Sequence, residues 1–79
     1  MKVNTTRNGK EYAFELKDGV LTLNGKEIKC NVKNGFAIKI NKKSVSADKG
    51  AEGVFEFVKK CISENFAMCY VWKIIEIFG

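Results

Sequence analysis

Proline and histidine are absent from this chain of 79 residues, and tryptophan occurs once. Arginine also occurs once, as Arg7, against thirteen lysines. Without histidine the chain lacks the commonest general base and the commonest metal ligand at neutral pH. Three cysteines, Cys30, Cys61 and Cys69, leave no fourth soft ligand for a structural zinc, and their separations match no finger or ribbon. An odd set cannot pair fully within a small secreted domain, so the expectation is a reducing, cytoplasmic setting with the thiols as small apolar fillers. Neither a metal nor a cofactor is expected.

Long hydrophobic runs are missing too. The segment from Met1 to Lys10 is polar and carries no apolar core of a secretory leader. The most apolar stretch, Phe66 to Phe78, is broken by Lys73 and Glu76 and is shorter than the roughly 20 residues that span a bilayer. No export signal and no membrane anchor are expected. Asn4-Thr5-Thr6 is formally a glycosylation site, which without export is an accident of sequence.

Catalytic motifs are equally thin. Ser46-Ala47-Asp48-Lys49 fits Ser-x-x-Lys, but the enzymes that use it need further polar motifs and a much larger chain, so it reads as a chance match. Glu11, Glu15 and Glu27 alternate with lysines as on a solvated sheet face. No glycine-rich phosphate loop follows a strand. The chain is expected not to be an enzyme.

What is present suits one folded domain spanning residues 1–79. Hydrophobic residues make up 46% and charged residues 29%, too apolar for disorder, and the length supports one core. Four pairs punctuate the first half: Asn8-Gly9, Asp18-Gly19, Asn24-Gly25 and Asn34-Gly35. Each is a hairpin signal, because these residues tolerate the positive φ of tight turns. Between them apolar residues alternate: Tyr12, Phe14, Leu16; Leu21, Leu23; Ile28, Cys30, Val32; Phe36, Ile38, Ile40. That is the period of strands.

Neighbours across a hairpin must share a face, which fixes registers. A two-residue loop at Asn8-Gly9 opposes Val3 to Phe14 and Thr5 to Tyr12; one at Asp18-Gly19 opposes Leu16 to Leu21 and Phe14 to Leu23. At Asn34-Gly35 a three-residue loop, Lys33-Asn34-Gly35, opposes Val32 to Phe36 and Cys30 to Ile38 and keeps Lys39 out of the core. The expected result is an antiparallel β-meander of about five strands with one apolar face.

After Ser46 the period changes. Val54, Phe57, Val58, Cys61 and Ile62 recur at helical spacing, predicting one amphipathic helix from about Ala51, capped by Asp48 or Ser46 and stopped by Asn65 in the left-handed region. Beyond it, Phe66, Tyr70, Val71, Trp72, Ile74, Ile75, Ile77 and Phe78 have the composition of a strand. A continued helix is the alternative, since Phe66, Cys69, Tyr70, Lys73, Ile74 and Ile77 also trace a stripe. The strand is preferred, giving an α+β fold in the order β-β-β-β-β-α-β.

Two surfaces then suggest function. Residues 1–43 carry a net charge of +6 and residues 44–79 one of −1. Strand parity places Lys29, Asn31, Lys33, Lys39 and Asn41 on the outward face, with Lys42 and Lys43 just beyond. Such a patch suits phosphates, although the scarcity of arginine and of exposed aromatics weighs against nucleic-acid recognition. Tyr70 and Trp72 are the residue types that dominate binding hot spots, and an apolar C-terminal strand could also be the seam of a homodimer. The expectation is a small non-catalytic interaction protein with a macromolecular partner, a protein before a nucleic acid. Its size suits a stoichiometric inhibitor or adaptor of the kind phages and mobile elements encode.

Overall fold

The computed structural model describes residues 1–35 and 38–79. Among the described residues, seven strands precede two helices: β1 Lys2–Arg7, β2 Lys10–Lys17, β3 Val20–Leu23, β4 Lys26–Glu27, β5 Cys30–Val32, β6 Lys39–Ile40, β7 Val45–Ala47, α1 Ala51–Glu64 and α2 Met68–Phe78. The first four form an antiparallel meander in the order β1-β2-β3-β4, and the other three a small mixed sheet in the order β5-β7-β6.

The meander follows from its turns. Asn8, Asp18 and Asn24 have φ near +50° and the glycine after each is also positive, the paired condition for tight hairpins that match strand twist. Val3 therefore opposes Phe14, Thr5 opposes Tyr12, Phe14 opposes Leu23 and Leu16 opposes Leu21. Asn24 repairs the ladder where β3 turns away. Its own amide donates to the Ala13 carbonyl at 2.9 Å. Its side-chain Oδ1 accepts the Ala13 N–H at 2.8 Å.

Past β4 the expected meander does not continue: among the described residues, β5 and β6 join the second sheet instead. Cys30 pairs with Val45 rather than Ile38, because β7 lies between β5 and β6 and runs parallel to β5. Gly35 does have positive φ, and Phe36 lies outside the described residues. Val32, expected inside, is 69% exposed. It is the last residue of a short edge strand.

Gly50, with φ +63° and ψ −135°, makes the turn from β7 into α1, and no side chain caps the helix. Neither Asp48 nor Ser46 fills that role, since Ser46 is taken up in β7. A Cβ on Gly53 would stand 3.2 Å from the Ala47 Cβ, so this glycine lets α1 lie close on β7. The helix buries Val54, Phe55, Val58 and Cys61, while Phe57 and Ile62 are only partly covered. Phe55 was not expected inside. It is buried because α1 touches both sheets and α2, so more than one stripe of its surface is covered. Asn65, at φ 51°, ends α1, and its N–H donates to the Cys61 carbonyl.

The C-terminal segment is a helix, not a strand, so the expected order and the proposed strand seam both fail. Val71, Ile74 and Ile75 are buried at helical spacing and join the same core as Phe14, Leu21, Leu23, Ile28 and Val45. Tertiary packing overrides the β-rich composition. Lys73 and Glu76 explain the choice: in a strand they point to opposite faces, whereas on a helix residues three apart share the solvent side, where both are found. Among the described residues no helix is long and apolar enough to cross a membrane.

Candidate interaction surfaces

The small sheet positions the basic residues. Across it, Asn31, Ser46 and Lys39 are register partners, and Cys30, Val45 and Ile40 form the adjacent row. Register partners share a face, so the first row is the polar side and the second, with Val45 fully buried, the core side. The Asn31 Nδ2 donates to the Ser44 Oγ at 3.1 Å, which ties β5 to the start of β7. Asn41 shapes the connection from β6 to β7: its Oδ1 accepts the Lys43 N–H at 2.8 Å, and its own N–H donates to the Ser44 carbonyl at 2.9 Å. Lys42 and Lys43 stand at the tip of that turn.

All seven residues of the expected basic patch, Lys29, Asn31, Lys33, Lys39, Asn41, Lys42 and Lys43, are exposed. The charge distribution is sharper than the split between halves conveys. Residues 28–47 contain five lysines and no acid, while the remaining nine Lys/Arg balance the nine Asp/Glu elsewhere. The net charge of +5 is therefore the charge of this one segment.

A second surface forms where the helices meet. Asn65 and Ala67 both adopt left-handed conformations, and the residue between them, Phe66, is 56% exposed. Within the first turn of α2, Tyr70 is 43% exposed, and its ring meets that of Phe57 edge to face with centroids 5.4 Å apart. Cys69 lies exposed beside it.

The expected pair Tyr70 and Trp72 is split by the helix, because residues two apart do not face each other there. Trp72 is half-buried and packs against the core. The Arg7 guanidinium covers its ring at 5.0 Å and lies 4.0 Å from the Glu76 Oε1. Phe66 is exposed although, in the sequence, a phenylalanine following a helix stop reads as the start of the next buried element and not as a contact residue.

The thiols differ in environment. Burial, with a smaller push from the Glu27 carboxylate, raises Cys30 from an ordinary 9.0 to about 11. Burial also raises Cys61, with Cys69 adding to the effect. No disulfide joins them. Among the described residues no group of three or more His, Cys, Asp or Glu is placed to hold a metal. A cleft of about 370 Å³ opens between the first hairpin and the end of α2; Arg7 and Lys10 at its rim are offset by Glu76. No family model, curated protein or solved structure matches this chain.

Proposed function

We propose that this chain is a non-catalytic interaction protein that binds a protein partner through the aromatic surface of Phe66 and Tyr70. The observation that carries the reading is the exposure of these two large side chains, four residues apart at the junction of α1 and α2, on a chain whose buried apolar residues otherwise gather into one cluster. Aromatic residues dominate binding hot spots, since a rigid ring buries much area at little entropic cost. Free thiols suit a partner inside the cell, and the short chain suits a stoichiometric inhibitor or adaptor of the kind mobile elements and phages encode.

The test is affinity capture from lysate of the source cell, with nuclease, using the wild type and the Phe66→Ser/Tyr70→Ser double variant. A protein retained through nuclease and moderate salt, and lost with the double variant, is the expected result. Retention of that protein by the double variant would refute the assignment.

One observation favours a second reading, contact with nucleic-acid phosphates through the small sheet: the whole net charge resides in residues 28–47. About five lysine–phosphate contacts would make affinity fall some 10²- to 10³-fold between 50 and 200 mM salt. Replacing Lys29, Lys33 and Lys39 by serine should abolish such binding while the melting temperature holds, because exposed charges contribute little to stability. A protein interface built on Phe66 and Tyr70 would hardly respond to either change.

A further inference from the structure

The sheet edges of this protein are unequal. Among the described residues, β4 and β6 are two residues long and β5 three, too short to template another strand, whereas β1 runs for six residues without proline or bulge. Native proteins shorten, bend, charge or cover their edges because a row of unpaired main-chain groups recruits other strands. Here β1 keeps only Lys2 and Arg7, at its two ends, and Arg7 is drawn towards Trp72.

The register shows which groups are free. Met1 and Leu16 exchange both main-chain hydrogen bonds, at 2.8 and 3.0 Å. In an antiparallel ladder such pairs alternate, so Val3 and Thr5 also bond to β2, while the N–H and C=O groups of Lys2, Asn4 and Thr6 point away from the sheet. All three residues are exposed, and no other main-chain group among the described residues meets them.

We propose that this edge pairs with the β1 edge of a second copy, antiparallel about a twofold axis at Asn4. Only residues whose groups point outward can bond, so Asn4 faces Asn4 of the second copy and Lys2 faces its Thr6, and reciprocally, with about six hydrogen bonds in all. The same parity forbids the register that would oppose Lys2 to Arg7. Charge fits as well. Lys2 opposes Glu15 and Thr6 opposes Glu11 within the chain, so each Lys2 comes to lie between its own Glu15 and, beyond Thr6, Glu11 of the second copy. On the other face Val3 meets Thr5 of the second copy, extending the apolar row of Phe14 and Tyr12. The surface uses neither Phe66 nor Tyr70 and stands apart from the proposed function.

Sedimentation velocity from about 10 µM to about 1 mM, the range in which a modest interface equilibrates, tests the inference. The wild type should pass from monomer to dimer. Asn4→Pro should remain monomeric with an unchanged circular dichroism spectrum, because it deletes an N–H that the intramolecular ladder does not use. Asn4→Lys, which sets two lysines directly opposite, should also remain monomeric and serves if the proline disturbs folding. Phe66→Ser/Tyr70→Ser should dimerise like the wild type. A wild type that stays monomeric, or dimers that persist in both Asn4 variants, would overturn the proposal.

Discussion

Replacing Gly50 by alanine should cost this fold about 1–3 kcal/mol, a loss that arises almost wholly in the backbone. At φ +63° and ψ −135° Gly50 occupies a region that residues with a Cβ enter only under strain of that order. A new Cβ would lie 3.1 Å from the Val32 Cγ2. Val32 is largely exposed and can rotate aside, so sterics add little. Alanine also restricts the unfolded chain, which returns about 0.4–1 kcal/mol and leaves the net figure towards the lower end. For a domain of this size each kcal/mol lowers the melting temperature by about 4–8 °C, so thermal unfolding followed by circular dichroism should show a drop of about 5–15 °C. A melting temperature within about 2 °C of wild type would mean that the turn from β7 into α1 is not built on a left-handed residue.

Gly53 offers the opposite balance. Alanine there gains up to about 1 kcal/mol of helix propensity. Its Cβ meets Ala47, which is fully buried in the central strand of the small sheet and cannot give way. Urea unfolding of Gly53→Ala should therefore show a net loss, and a rise in midpoint would mean that α1 has room to lift from β7. The thiols should label in order of environment: at pH 8 a disulfide reagent should modify the exposed Cys69 well before Cys30 or Cys61, whose raised pKa values keep them protonated. A folded pKa raised from 9.0 to about 11 means that Cys30 supports stability below pH 9 and withdraws that support as pH climbs towards 11. Cys30→Ala should accordingly show a shallower loss of stability over that interval than the wild type, and equal slopes would contradict the shift.

The parts of the fold legible in the sequence are those set by local chemistry. Asn-Gly and Asp-Gly turns fix positive φ, and parity then dictates which residues face each other, so the registers through β1, β2 and β3 follow from adjacent residues. The pairing of β5 with β7 does not. It is parallel, joins residues fifteen apart, and rests on Val45-Ser46-Ala47, too short for its alternation to register. Composition alone favours a strand for the C-terminal segment, whereas the spacing of Lys73 and Glu76 fits the helix that forms. The difference between strand and helix also rearranges the candidate site. A strand puts Tyr70 and Trp72 on one face, whereas the helix turns Trp72 towards the core and leaves Tyr70 exposed against Phe57. The lysines fared better, since the row of Asn31 and Lys39 stays exposed although β7, not the direct pairing of their strands, brings them together.

The fold needs some of its aromatic rings for stability and leaves others free for contact. Parallel melts of Trp72→Ala and Phe66→Ser/Tyr70→Ser measure this directly. Loss of the half-buried indole and its contact with Arg7 should cost about 2–4 kcal/mol, while the double variant should melt within a few degrees of wild type. If instead the double variant unfolds and Trp72→Ala holds, Phe66 and Tyr70 belong to the core and the proposed partner surface does not exist.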